Sequence, residues 1–213
     1  MRPEIIAITG LCTLLALWYG VGHLINRRRG QRLFRWLESG LDVLGEEREA
    51  GWLGSPASGA RVNVVHANPP FRRLEITLLL ENREVPLLWL FDRLRGRQDR
   101  LIIRATLRSP HRGAIVVRSA SGRTHPQEEY WRRQKGPHGL SVAVQGRGTE
   151  RQVTALMPWF QSYGKHLQHF TWQKTDPHIQ LQMKMGGLVV TPSEVFLADL
   201  QATIGGATHV NSG

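Results

Sequence analysis

Cysteine is nearly absent from this sequence of 213 residues, and the one example, Cys12, falls inside an apolar stretch. The rest of the chain therefore has no disulfide and no thiolate nucleophile, which agrees with a reducing cytoplasm. Acidic residues are also few: the chain has 17 Asp and Glu but 28 Lys and Arg, which gives a net charge of +11. That balance favours an anionic partner such as phospholipid headgroups or nucleic acid.

Motifs that would dictate a reaction are also missing. No G-x-x-x-x-G-K-[ST] stretch occurs, and the glycines at 136, 139, 146 and 148 lack the spacing of a dinucleotide-binding fingerprint. Ser162 and Lys165 have the S-x-x-K spacing of some serine acylases, but no companion motif follows them. We therefore expect no cofactor, and a binding role is favoured over an enzymatic one.

Charge is absent from one long segment near the N-terminus. Residues Ile5 to Ile25 carry no charged side chain, and a helix of that length is about 30 Å long, which matches the hydrocarbon thickness of a bilayer. A cleaved signal peptide would need positive charge before the apolar stretch and small residues at a cut site, and neither is present. The sequence predicts a transmembrane anchor at residues 1–26.

A cluster of arginines without an acid follows this stretch and predicts the orientation. Because arginine near the end of a span stays on the cytoplasmic side, we predict a single pass through the plasma membrane with the N-terminus outside and the rest of the chain inside. The residues of the cluster are Arg27, Arg28, Arg29, Arg32 and Arg35.

Residues 27–44 are predicted to form a basic amphipathic juxtamembrane helix. Leu33, Trp36, Leu37, Leu41 and Leu44 recur at spacings of three and four, which gives one apolar stripe. The helix could lie among the headgroups, with Trp36 inserted and the arginines on phosphates, or it could extend the anchor and dock on the following domain. We favour the headgroup arrangement.

Residues 45–60 have the composition of a linker, and residues 61–213 are predicted to form one cytoplasmic α+β domain with an antiparallel sheet and a C-terminal helix. A helix should begin at Pro86 and bury a stripe that includes Leu87 and Leu94. The strand segments 101–108 and 114–118 are predicted to form one hairpin, and 168–174 and 179–185 another.

The two parts of this domain have a similar order of predicted elements. Aligning Leu74 with Leu140 places a strand, a helix and two strands in the same order in residues 61–118 and 140–204. This pattern is typical of a duplicated βαββ unit, and chance similarity is the alternative. A duplication would place a cleft between two halves.

Two arginine groups are candidate anion-binding sites. Arg100, Arg104 and Arg108 alternate with apolar residues, so they would form a row on one exposed sheet face, which either binds phosphates or is simply solvated. Arg132 and Arg133 lie beside aromatic residues in the segment 119–139, which could contact a membrane interface or stack on bases. A linker between two halves is the simpler interpretation of that segment.

Histidines supply the weak candidates for a metal site. His166 and His169 are three residues apart, and His178 follows in the next turn, so a divalent metal could find three ligands. The simpler interpretation is that they are polar residues at a helix end and a turn, because no motif with metal-ligand spacing surrounds them.

These observations lead to three functional hypotheses. The first is a membrane-anchored interaction or scaffold domain that binds a protein partner or anionic lipid at the inner leaflet. The second is an enzyme, or a receptor for a metal or small ligand, that uses the cleft between the halves. The third is nucleic-acid binding through the arginine row, although no recognised reading motif supports it.

Overall fold

The computed structural model describes residues 2–109, 113–119, 131–146 and 148–209. These residues form four α-helices and nine β-strands, joined by turns and short 3₁₀ segments. The helices are α1 (Pro3–Glu38), α2 (Pro86–Leu94), α3 (Thr149–Tyr163) and α4 (Ser193–His209). The strands are β1 (Arg48–Trp52), β2 (Gly59–Val64), β3 (Phe71–Leu79), β4 (Arg100–Leu107), β5 (Ala114–Arg118), β6 (Arg132–Lys135), β7 (Ser141–Gln145), β8 (Leu167–Trp172) and β9 (Ile179–Lys184).

All nine strands belong to one antiparallel sheet with the order β1-β2-β3-β4-β9-β8-β5-β7-β6. The predicted α+β class, with a long N-terminal helix and a C-terminal helix, is confirmed. The strands alternate as expected for a sheet with one buried face. In β9, for example, Ile179, Leu181 and Met183 are buried, whereas Gln180 and Gln182 between them are partly exposed.

The core lies between the apolar face of the sheet and the helical layer. Helix α3 contributes Leu156 and Phe160, and α4 contributes Phe196, which meets Trp159 of α3 at a ring-centroid distance of 6.1 Å. Full burial of one such side chain stabilises the fold by roughly 1.5–3 kcal/mol. The opposite face of the sheet is not covered by any helix in the described part of the chain, and we call it the open face.

The predicted strand pairing is only half right. Strands β8 and β9 form the expected hairpin, but β4 pairs with β3 and β9, while β5 pairs with β7 and β8. The prediction of a β4–β5 hairpin is therefore wrong. Turn-forming residues between two strands indicate that the chain changes direction, but they do not determine which strand the chain meets next.

The two proposed halves also differ in topology, so the duplication is not supported. Because β5 lies antiparallel between β7 and β8, these two strands are parallel to each other across it. The corresponding strands β3 and β4 are antiparallel neighbours. The order strand, helix, strand, strand does recur, but the second helix crosses over the sheet between parallel strands and the first does not. No twofold cleft follows from this arrangement.

The segment 45–60, predicted as a linker, contains strand β1 and the turn into β2. Every residue of β1 is exposed, and Gly54 has a φ of +77° in the turn that follows. An edge strand that is exposed on both faces needs no apolar alternation, and its turn needs glycine. A strand of this kind therefore has the same composition as a linker.

Helix α1 continues without a break from the apolar stretch into the domain. Leu33 and Leu37 on α1, and Leu41 and Leu44 just after it, are buried in the core with the sheet and α4. The juxtamembrane segment therefore docks on the domain, and the headgroup arrangement that we favoured is not the one in the structure. The periodicity predicted the apolar stripe, but lipid and a protein core both satisfy such a stripe.

Candidate membrane and anion-binding surfaces

The first part of α1 is mostly exposed. Its apolar side chains from Ile5 to Ile25 contact the domain mainly through Trp18, and most of them are about half exposed. This helix, near the N-terminus, is long and apolar enough to cross a membrane. Its length and composition are compatible with a single membrane span.

Two glycines and an asparagine of α1, spaced by four, lie where the helix approaches the domain closely. A Cβ atom on Gly22 would lie 2.3 Å from the carbonyl oxygen of Arg83, and one on Gly30 would lie 1.9 Å from that of Pro56. Between them, the Asn26 amide donates a hydrogen bond to the Glu81 carbonyl oxygen at 2.9 Å. Positions four apart share one helix face, so this face is shaped for backbone contact. Sequence reasoning missed it, although the spacing of Gly22, Asn26 and Gly30 was a visible signal.

A cluster of buried charged groups lies beside this contact. Asp99 is only 1% exposed and forms ion pairs with Arg29 of α1 and with Arg83, the latter at 3.2 Å. It also accepts a hydrogen bond from the backbone N–H of Glu81 at 2.9 Å. Arg83 donates a further hydrogen bond to the Asn26 side-chain oxygen at 2.7 Å. Helix α1 and the domain are thus joined by a network of polar groups centred on Asp99, in which one carboxyl oxygen of Glu81 is buried without a hydrogen-bond partner.

The two carboxyl groups of this cluster have pKa values that move in opposite directions. Burial by itself would raise the pKa of Asp99, but the hydrogen bonds from Glu81 N–H and Arg83 outweigh it and hold that pKa below its ordinary value. Burial raises the pKa of the Glu81 side chain, and the attraction of Arg83 offsets only part of this effect. Asp99 is therefore the ionised centre of the junction.

The predicted membrane-contacting residues separate into two groups. Arg29 pairs with Asp99, and the indole of Trp36 donates to the Thr191 carbonyl oxygen at 2.8 Å and packs on Phe196, so both residues take part in docking. The other four arginines point away from the domain and are exposed, so their contact with headgroups stays a prediction. These four are Arg27, Arg28, Arg32 and Arg35.

Helix α2 does not bury the stripe that its sequence predicts. Leu87 and Leu94 are 80% and 79% exposed, and Leu90 and Phe91 are about half exposed. No residue of α2 is buried. The expectation of a buried helix was wrong because the helix extends beyond the sheet, on the loop between β3 and β4, and lies beside α1 instead of the core.

The open face of the sheet carries the candidate anion-binding residues. Cross-strand neighbours share a face, and one row across the sheet runs through Glu75, Arg104, Gln180 and Thr171. Among the described strands, basic side chains predominate on this face over the acids Glu49 and Glu75. The basic residues are Arg61, Arg73, Arg100, Arg104, Arg118, Arg133, Lys135 and Lys184.

Only part of the predicted arginine row is on this face. Arg100 and Arg104 are, but Arg108 lies past the end of β4, where its guanidinium donates to the carbonyl oxygens of Phe71 and Ala67 at 3.0 and 2.9 Å. Arg108 therefore contacts the loop before β3, and its binding of an anion stays a prediction. On β6, Arg132 and Arg133 point to opposite faces, and Arg132 pairs with Glu150 at 2.7 Å.

A groove of about 530 Å³ lies at one side of the open face, near the turn between β8 and β9. Arg104 contacts Glu75 at 3.3 Å there, and Asp176 accepts hydrogen bonds from Thr106 and Arg73. The Thr106 hydroxyl and Arg73 hold the pKa of Asp176 below its ordinary value. The groove is a polar surface in which arginines are partly neutralised.

The three candidate histidines do not converge on one site. His178 is mostly buried and accepts a hydrogen bond from Leu107 N–H at 2.9 Å, near the start of β9. His166 lies at the other end of the hairpin, against Gly187, and burial lowers its pKa. His169 lies on the open face, opposite Arg118. Within the described residues, no group of three metal-binding side chains occurs.

Comparison with known families gave no match, since no protein-family model fits this chain. A search of curated proteins found no match either. The function must therefore be argued from the surfaces described above.

Proposed function

We propose that this chain is a single-pass membrane protein whose cytoplasmic domain binds an acidic protein partner at the inner leaflet through its open face. The continuity of α1, whose first part is exposed and apolar and whose last part belongs to the core, supports the membrane position of the domain. A domain attached in this way has a fixed position relative to the anchor, unlike a domain on a flexible tether.

The exposed arginines of α1 support an orientation with the domain inside the cell. Arginine near a span end stays on the cytoplasmic side. Each basic residue close to an anionic leaflet contributes about 1 kcal/mol of attraction, so Arg27 and Arg28, which directly follow the apolar stretch, together contribute about 2 kcal/mol, and Arg32 and Arg35 contribute less because they lie further along α1. Arg29 is excluded from this sum because it pairs with Asp99.

The composition of the open face supports an interaction role. Its arginines and lysines outnumber its acids, and the glutamine and threonine side chains at its centre can donate and accept hydrogen bonds. A basic patch attracts an acidic surface and speeds its association, and this attraction weakens as salt increases. A partner held by this face should therefore dissociate at high salt.

Photo-crosslinking from the two sides of the domain would test the proposal. A photoreactive amino acid replaces Gln180 at the centre of the open face or, as the control, Arg151, which is exposed on α3. In cells that express the full chain, we expect one protein adduct from position 180, none from position 151, and loss of the adduct when isolated membranes are irradiated in high salt. Equal yields from both positions, or no adduct from position 180, would contradict the proposal.

Nucleic acid is the second candidate partner, because Arg100 and Arg104 lie on the same exposed face. Arg104 also contacts Glu75, which reduces the charge available to phosphates. Mobility shifts of the full chain in lipid nanodiscs would distinguish the two partners. A shift with single-stranded RNA or DNA that disappears in the double variant R100A/R104A would favour nucleic acid over protein.

A further inference from the structure

Helix α2 presents an apolar face that the domain leaves uncovered. Leu87, Leu90, Phe91 and Leu94 follow each other at spacings of three and four, so they form one stripe, and all four are exposed. Trp89 lies on the other side of the helix and contacts α1. No residue of the stripe is buried in the described part of the chain.

The position of α2 along the anchor indicates what covers this stripe. The rings of Trp89 and Trp18 lie 6.1 Å apart, and the Trp18 indole donates a hydrogen bond to the Arg83 carbonyl oxygen at 3.2 Å. Arg83 precedes α2 by three residues and also contacts Gly22. Helix α2 therefore lies beside α1 at the level of Trp18.

That level lies inside the apolar span. A helix that enters the hydrocarbon at Ile5 needs about 20 residues to cross it, so it leaves near Ile25. Trp18 precedes Ile25 by seven residues, which is about 10 Å at the helical rise of about 1.5 Å per residue. Amphipathic helices in a membrane interface bury their apolar face by about 5–10 Å, so α2 is at the depth that such helices occupy.

We propose that α2 lies in the inner leaflet as an interfacial helix, with Leu87, Phe91 and Leu94 among the lipid acyl chains. This inference rests on the proposed function, because it needs α1 to span the membrane. The protein then contacts the bilayer at two points, the anchor and α2. Two contacts prevent the domain from rotating about the axis of α1, so the open face keeps one direction relative to the membrane.

The charged residues near α2 are compatible with this position. Arg93 and Arg95 are exposed beside the apolar stripe and can reach phosphate oxygens, and the Arg95 guanidinium lies 3.8 Å from the centre of the Phe91 ring. Asp92 is paired with Arg97 at 2.9 Å, and Glu84 lies 2.9 Å from His23 of α1. The acidic groups at this level therefore have partners within the protein.

Lipid contact can be measured with single cysteines in the full chain, after Cys12 is replaced by serine. Leu87→Cys and Leu94→Cys report on α2, and Leu15→Cys reports on the span. Val190→Cys is the matched control, because Val190 is apolar and 85% exposed but lies near Trp36, about 27 Å along α1 from Trp18. Each cysteine receives an environment-sensitive fluorophore, and the protein is reconstituted in anionic phospholipid vesicles with or without lipids that carry a nitroxide on the acyl chain.

We expect a blue-shifted emission and loss of fluorescence with nitroxide lipid at positions 87, 94 and 15, and neither effect at position 190. Quenching at 15 with a water-like signal at 87 and 94 would overturn the α2 inference and leave the anchor intact. Water-like signals at all positions would overturn both proposals. A blue shift at 87 and 94 without quenching by lipid would show that protein covers α2, and this too would overturn the inference.

Discussion

At the scale of single residues, Asp99 is the buried charge at which α1 and the domain meet. Its carboxylate is buried and receives Arg29 from α1, Arg83 from the loop after β3, and the N–H of Glu81. Removing one partner from a buried ion pair leaves an uncompensated charge, which typically costs 3–5 kcal/mol. No motif identifies this residue in the sequence, because its three partners are far from it or belong to the backbone.

The variant Asp99→Asn should lose about 3–5 kcal/mol of the free energy of unfolding at neutral pH, because Arg29 loses its anionic partner and Arg83 keeps only Glu81. Denaturant unfolding of the full chain in detergent micelles measures this change. Asp42→Asn is the control, since Asp42 pairs with Arg48 on the surface and its loss should change little. Equal effects of the two variants would contradict the role of Asp99.

The same variant should also change the dependence of stability on pH. The pKa of Asp99 is lower in the folded protein than in the unfolded chain, so its contribution to stability is present above its ordinary pKa and is lost as the pH falls through the folded pKa. The native protein should therefore lose more stability than Asp99→Asn when the pH is lowered below about 4.

At the scale of elements, the two parts of the chain with strong helical periodicity ended in different surroundings. The stripe of residues 33–44 is buried in the core, whereas the stripe of α2 is exposed beside the anchor. Periodicity predicts that a helix has an apolar face, and it did so correctly in both cases. It does not indicate whether a sheet, another helix or lipid covers that face, because all three are equally apolar.

Glycines within α1 allow a test of how this helix docks. Gly30→Ala should destabilise the protein by about 1–3 kcal/mol, because the added carbon would overlap the Pro56 carbonyl oxygen and force the helix away from the domain. Gly20→Ala is the matched control in the same helix, where nothing lies within 4 Å of the added carbon. Thermal unfolding in detergent, followed by circular dichroism, should show a lower melting temperature for the first variant only. Equal melting temperatures of both variants and the native protein would contradict the close approach of Gly30 to the Pro56 carbonyl oxygen.

At the scale of the whole molecule, the anchor helix and the domain form one folding unit. Leu33, Leu37, Leu41 and Leu44 belong to the core although they precede the first strand. At roughly 1.5–3 kcal/mol for each buried side chain, they contribute about 6–12 kcal/mol. This is comparable to the total stability of a typical domain, about 5–15 kcal/mol.

Removing the residues before this leucine segment should therefore leave the domain folded, whereas removing the segment as well should unfold it. A chain that begins at Gly22 keeps the docked part of α1 and should retain a cooperative unfolding transition in mild detergent. A chain that begins at Gly45 lacks the four leucines and should be unfolded and rapidly digested by protease. Limited proteolysis and near-ultraviolet circular dichroism compare the two. A cooperative transition in the shorter chain would contradict the inclusion of α1 in the core.

Much of the secondary structure was predictable because it depends on local patterns. The long N-terminal helix follows from its uncharged length, and the β8–β9 hairpin follows from the alternation of apolar and polar residues in both strands. Strand β1 was missed because it is exposed on both faces and has no alternation to detect. The junction at Asp99 was missed because its groups come from three distant parts of the chain.

The sequence by itself determined the α+β class and an N-terminal helix apolar enough to cross a membrane, because composition and periodicity along the chain are sufficient for these features. Only the tertiary structure decided that β4 and β5 separate to pair with β9 and β8, that α1 enters the core, and that α2 stays exposed beside Trp18. The physical reason is that pairing and burial depend on which distant surfaces meet. Many arrangements bury a given apolar stripe, and the total packing of the chain selects among them.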